Sequence, residues 1–197
     1  MKIIEKNYKW NGTLARRSST DYIILHHRAG NGDADSIHAG HLSQGWTGIG
    51  YHFYVRKYGS VYRGRPFDII GAHCTGKNGC SIGDSFEGNF ENETMTAVQL
   101  KAGKELVSYL KGLYPDAEVK RHKDFQSTAC PGKNFPFEDI RKGVAVKAKY
   151  ESANDITWEL NHSHFPITNT DAFVKALDEA KRKDSPLYWG YYKLVNK

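Results

Sequence analysis

Cysteine is scarce in this chain. Three in 197 residues are too few for a disulfide scaffold, and the odd count leaves at least one for another task. Long apolar runs are also missing: the longest are four or five residues, such as Tyr22 to Leu25, against the roughly 20 that span a bilayer, which excludes a transmembrane helix. The opening MKIIEKNYKWNG has no apolar core, so no ordinary secretory signal is expected and the chain reads as made in the cytoplasm. Repeats and low-complexity tracts are absent. Hydrophobic residues at 39% and charged ones at 25% sit near globular values, which excludes a disordered or collagen-like chain.

What is present begins with charge. Lys and Arg number 28 against 22 Asp and Glu, a formal net charge of +6. Such an excess suits an anionic partner (nucleic acid, a membrane surface or an acidic wall polymer) or is simply a solvated basic face. It gathers in the first 17 residues, over Arg141 to Lys149, and near the end at Lys181, Arg182, Lys183 and Lys193. No block is dense enough to announce nucleic-acid binding.

The pattern predicts an α/β fold. Tyr22 to His27 is a β-branched, apolar strand after a Ser18-Ser19-Thr20-Asp21 turn. A short helix is expected after Asp35, ending near Gly45. Residues 51–55 and 60–62 read as a hairpin about Tyr58-Gly59, with further strands at Ile69 to His73 and around Ser85 to Glu87. The strongest helix runs from Thr96 to Leu113, where Thr96 and Gln99 form a T-x-x-Q capping box and Pro115 prevents continuation. Ala117 to Arg121 reads as a strand, and Pro136 opens a helix to about Val146. One domain over residues 1–149, its core about 20–146, should therefore hold a central mixed sheet flanked by helices. Residues 150–197 change character and predict a small C-terminal module of three short helices separated by Pro166 and Pro186, rich in aromatics at Trp158, Tyr188, Trp189, Tyr191 and Tyr192.

Most of the nine histidines have ordinary readings. His162 and His164 read as surface or core residues, and His38 and His41, three apart on a helix, are expected to face solvent rather than a cleft. His26, His122 and Cys130 form a different set: each follows or ends a strand or its loop, and two imidazoles with one thiolate suit Zn²⁺ with a fourth position open. On spacing alone this is a weak signal.

Several motifs occur in order: Ile24-Leu25-His26-His27, Gly45-Trp46-Thr47-Gly48-Ile49-Gly50-Tyr51-His52-Phe53, Val61-Tyr62-Arg63-Gly64-Arg65, Gly71-Ala72-His73, Ser81-Ile82-Gly83, Glu87-Gly88-Asn89-Phe90, and Arg121-His122 with Thr128-Ala129-Cys130-Pro131-Gly132. Together, over about residues 15–145, they resemble the zinc-dependent N-acetylmuramoyl-L-alanine amidases of type 2, a family that includes phage lysins and animal peptidoglycan recognition proteins. The resemblance implies Zn²⁺ on His26, His122 and Cys130, with His27 a neighbour, since adjacent strand side chains point to opposite faces. It implies a catalytic Tyr51 beside the attacking water, and places His73 and Trp46 toward the substrate. Some phage members carry a lysine where this chain has Thr128; active animal members have threonine there, so Thr128 is expected either to donate a hydrogen bond or to order the cysteine loop. Glu87 is an alternative base, with a structural role favoured. Cys74 and Cys80 enclose a loop short enough to bridge, with free thiols expected at synthesis in a reducing cytoplasm and a bridge open to them after release. The implied activity is hydrolysis, by a zinc-activated water, of the amide between N-acetylmuramic acid and L-alanine in peptidoglycan. The implied setting is an endolysin of a phage or prophage in a Gram-positive host, reaching the wall after holin-type release. A non-catalytic wall-binding protein and a host autolysin are the rival readings.

Overall fold

The structure, a computed structural model, describes residues 2–143 and 170–182. The chain divides into two compact units, residues 1–144 and 145–197. In the first, β1 (Ile3–Ile4), β2 (Tyr22–His27), β3 (Phe53–Val55), β4 (Val61–Arg63), β5 (Ser81–Phe86) and β6 (Glu118–Arg121) form one sheet in the order β1-β4-β3-β5-β2-β6. Only the β3–β4 pair is antiparallel, joined by the hairpin through Tyr58-Gly59; the other pairings are parallel. β2 lies between β5 and β6 with Ile23 to His27 all buried, which is why it reads as a nearly continuous apolar run rather than an alternating one.

Two layers cover the sheet. On one face Ile23, Leu25, Phe53, Val55, Val61, Ile82 and Phe86 pack with Ala102, Leu106, Val107 and Leu110 of α2 (Ala97–Leu113) and Ile140 of α3 (Phe137–Lys142). Each such large side chain contributes about 1.5–3 kcal/mol on burial. A smaller cluster joins Ala34 and Ile37 of α1 (Ala34–Ser43) to Ile49 and Tyr54. Strand alternation therefore points His26 away from the layer that holds Leu25, while His27 shares that layer's side. The expected central mixed sheet with flanking helices is the architecture found.

Several boundaries differ from expectation for local reasons. Asp33 caps α1 by accepting from the Ser36 N–H, so the helix begins before Asp35. Thr96 accepts from the Gln99 N–H at 3.2 Å, but the Gln99 side chain does not return to complete a capping box. It is buried, and its amide donates to the Val55 and Glu87 carbonyls at 3.1 and 2.9 Å, pinning α2 to two strand ends. Ile69 to His73 is no strand: Ile69 makes a single bridge to Arg16, and the backbone beyond it bonds to Gly50 and Asn78 instead. β5 starts at Ser81 rather than near Ser85, and α3 stops at Lys142 because Gly143 follows with φ +68°. In the second unit, α4 (Thr170–Arg182) carries a stripe of Phe173, Val174, Leu177 and Ala180, with Leu177 and Ala180 buried. The other two expected C-terminal helices, with Trp158, Tyr188, Trp189, Tyr191 and Tyr192, lie outside the described residues, as do His162 and His164.

One core residue conflicts with its surroundings. Asp84 is fully buried, in register with Leu25 and Phe53, between Ile82 and Phe86 on the apolar face of β5. Neither of its carboxylate oxygens has a hydrogen-bond partner among the described residues. Burial pushes its pKa well above the usual carboxylate range, and Arg63 opposes this only in part. A folded-state pKa raised above the unfolded one means that this carboxyl's contribution to stability is fully present below about pH 4 and is lost as pH rises through the folded-state value. Asp84→Val should raise the unfolding free energy at pH 7 by about 1–3 kcal/mol, the usual scale for removing a buried unpaired polar group. The gain should shrink toward pH 4. Urea melts of both proteins at the two pH values check this, and equal midpoints at pH 7 would show that Asp84 is paired in solution.

Candidate metal centre

The last paired residues of β2 and β6 are Leu25 and Arg121, so the residue after each, His26 still on β2 and His122 opening a short turn, emerges at the same carboxyl edge. Open α/β sheets bind their ligands at this edge. The two imidazoles have centroids 4.5 Å apart. The third member arrives on a loop. Asp124 holds the Arg121 backbone and guanidinium at the strand end, the Lys123 N–H donates to the Cys130 carbonyl at 3.0 Å, and the Cys130 N–H donates to Thr128 Oγ1 at 3.2 Å. The loop thus turns back and sets Cys130 Sγ within 3.8 Å of His26 Nδ1.

One ligand atom from each of His26, His122 and Cys130 lies within 4.8 Å of the others, the one such cluster among the described residues. Tetrahedral Zn²⁺ with N and S ligands places its donors roughly 3.3–3.7 Å apart, so the His26–Cys130 pair already has nearly the right spacing. The donor chemistry fits as well. Burial, helped by His122 and His27, holds the His26 pKa well below its ordinary value, and burial followed by His27 lowers that of His122. Both rings are therefore neutral near pH 7, with lone pairs to offer. Burial pushes the Cys130 thiol up to about 12, a proton that a bound cation would displace. His27 has a different role: its Nδ1 accepts from the Phe90 N–H at 3.2 Å, and it reaches Cys130 Sγ through its backbone, the N–H at 3.4 Å and the carbonyl at 3.9 Å.

Around the triad the sequence-identified residues take separate positions. Tyr51 lies beside His26, centroids 5.3 Å apart, and burial, then the nearby Cys130, raise its phenol to about 12. Trp46 is 41% exposed and covers His41 at 4.6 Å, and His41 in turn lies 6.0 Å from Tyr51, giving an aromatic row from the surface to the triad. Thr128 is exposed on the cysteine loop, its oxygen occupied by the Cys130 N–H while its own proton remains to donate. His73, which the resemblance places toward substrate, is buried beneath His26, with His26 Nε2 and His73 Nδ1 3.0 Å apart.

Glu87 is engaged elsewhere. It binds the Arg56 guanidinium at 2.6 Å and the Lys57 and Gly32 N–H groups; burial alone would raise its pKa, but these donors bring it below the ordinary value. A charged carboxylate so fully committed is structural. His38 and His41 do not face solvent as expected. His38 is buried between the Ile49 N–H and the Lys9 carbonyl, and His41 Nδ1 accepts from the Gly50 N–H. Both clamp the loop that carries Trp46 and Tyr51, a use that helical spacing cannot reveal. Cys74 and Cys80 are free thiols.

Two imidazoles and a thiol converging at the carboxyl edge of a parallel strand pair, with a tyrosine alongside, make a candidate three-donor metal site on an α/β scaffold. The chain belongs to the N-acetylmuramoyl-L-alanine amidase family, whose model matches residues 16–133. Among its relatives, peptidoglycan-recognition protein SC2 of Drosophila melanogaster is 36% identical, over 74% of this chain and 88% of that protein. The endolysin of Enterobacteria phage K11 is 32% identical, over 60% of this chain and 84% of its own. The solved N-acetylmuramoyl-L-alanine amidase LysC from Clostridium intestinale shares 43% of residues at a TM-score of 0.69, covering 71% of this chain and 95% of that one.

Proposed function

We propose that this protein hydrolyses the amide joining the lactyl group of N-acetylmuramic acid to the L-alanine of the stem peptide, as an endolysin of a phage or prophage that opens a Gram-positive wall from within. The observation that carries the reading is the His26–His122–Cys130 cluster with Tyr51 beside it, in a chain of this amidase family. Zn²⁺ held by those three residues would supply Lewis-acid polarisation of the carbonyl and a nucleophile from water at neutral pH.

The chain's own groups do the rest. Tyr51, with its pKa raised to about 12, keeps its proton at neutral pH, so it serves as a hydrogen-bond donor to the developing oxyanion rather than as a base. Thr128 offers a second donor from the rim. Trp46, exposed above His41, gives a flat apolar face on which a sugar ring can stack. The net charge of +6 attracts anionic wall polymers. Residues 150–197, with their clustered aromatics and cations, extend that attraction as a wall-targeting module. The test is incubation of the zinc-loaded protein with purified walls of several species. Release of free L-alanine amino groups without new reducing ends is the expected result. A protein that sediments with walls and releases nothing would instead be a recognition protein.

A further inference from the structure

His73 is placed with unusual care for a residue only 8% exposed. Its ring lies between two glycines: a Cβ on Gly83 would come within 2.4 Å of His73 Cγ, and one on Gly71 within 2.4 Å of His73 Cδ2. Any larger residue at either position would displace the imidazole. Its backbone is fixed too, since Asn78 Oδ1 accepts from both the His73 and Cys74 N–H groups at 2.8 and 2.9 Å. The nitrogens of the ring so held make two side-chain hydrogen-bond contacts, Nδ1 to His26 Nε2 at 3.0 Å and Nε2 to Ser81 Oγ at 3.4 Å.

The direction of these bonds follows from their far end. Ser81 Oγ donates its one proton to the Lys77 carbonyl at 2.7 Å, so toward His73 it acts as an acceptor. His73 then carries its proton on Nε2 and presents a lone pair at Nδ1. That lone pair accepts from His26 Nε2–H. A neutral His26 protonated at Nε2 has its free lone pair on Nδ1, the atom 3.8 Å from Cys130 Sγ. Reversing the chain would put a proton on Nδ1 and block that atom as a ligand.

We propose that His73 and Ser81 are positioning residues: their chain of hydrogen bonds, anchored on the Lys77 carbonyl, holds His26 as the Nε2–H tautomer and keeps Nδ1 free for the metal ion. The inference rests on the metal-dependent reading of the site above. Partners of this kind typically alter metal affinity by roughly 10–100-fold when removed.

The experiment uses the full-length protein at one pH and reads zinc affinity and ring tautomer, with no wall substrate. In the metal-free, ¹⁵N-labelled wild type, long-range ¹H–¹⁵N spectra should show His26 protonated at Nε2. Removing the ring in His73→Leu should mix the two tautomers and weaken zinc, measured by competition with a chelator, by roughly 10–100-fold. His73→Asn, which keeps an acceptor near the Nδ1 position, should recover most of the affinity, and Ser81→Ala should fall between them. A purely packing role would make His73→Asn no better than His73→Leu, and that ranking overturns the proposal. So does a wild-type His26 carrying its proton on Nδ1, a result that needs no variant to fold. A wild type that binds zinc with the expected tautomer yet cuts no muramoyl amide overturns the amidase reading and upholds the relay.

Discussion

His26→Ala, His122→Ala and Cys130→Ser are each expected to lower wall lysis by roughly 1000-fold or more, because a Lewis acid contributes several kcal/mol and each 1.4 kcal/mol is tenfold in rate. The three should not behave alike in stability. His26 is buried at the end of the central strand and bonded to His73, so its loss opens a cavity and orphans a buried acceptor. His122 is partly exposed on a short turn, and its removal should leave the fold close to wild type. Thermal melts of the metal-free proteins beside lysis assays separate the two effects. His122→Ala is the informative variant: full folding, no tight zinc and no lysis. Wild-type lysis by a His122→Ala protein that holds no zinc would show that chemistry proceeds elsewhere.

Tyr51→Phe should retain zinc and lose roughly 10–1000-fold in catalytic rate, the range for one donor aimed at a developing oxyanion. The ring stays, so the aromatic row with His41 and Trp46 should survive. A phenol whose pKa is raised to about 12 donates throughout the neutral range, so wild-type activity should show no loss through Tyr51 ionisation below about pH 10. Steady-state kinetics on a soluble muramoyl peptide, with zinc content measured on the same sample, check both statements. Thr128→Val should cost less. Its oxygen already accepts from the Cys130 N–H, so some of that loss would come from a looser cysteine loop. An unchanged rate in Tyr51→Phe would transfer the donor role to Thr128, because Glu87 is committed to Arg56.

What the letters revealed followed from how local each cause was. The strand at Tyr22 to His27 was legible because a strand buried on both faces has to be apolar throughout, and period-two alternation was enough to separate His26 from His27. α2 was legible from Thr96 and its apolar stripe, but the role of Gln99 was not: the same side chain suits a capping box or a buried clamp, and only tertiary contacts decide. Ile69 to His73 has strand-like residues, yet its backbone serves to hold an imidazole, a demand set by Gly83 and Asn78 at distance. The two-residue β1 is too short to carry any periodicity, and it exists because β4 offers an edge. The triad had only a weak signature in its donor types, which the resemblance strengthened, since nothing local ties His26 to a loop cysteine that only the β2–β6 pairing brings near. Neither the burial of Asp84 nor the anchoring role of Ser81 has a signature in composition or spacing.

The central claim is that one metal ion on this triad cuts one particular bond. Its most direct test is a zinc titration of the metal-free protein on a synthetic N-acetylmuramoyl-L-alanyl peptide, with the products identified by mass spectrometry. The expected result is no cleavage without zinc, a rate that rises in proportion to added zinc and levels off at one ion per chain, and two products divided at the lactyl–alanine amide. Cleavage by the zinc-free protein, or scission at any other bond, would contradict it.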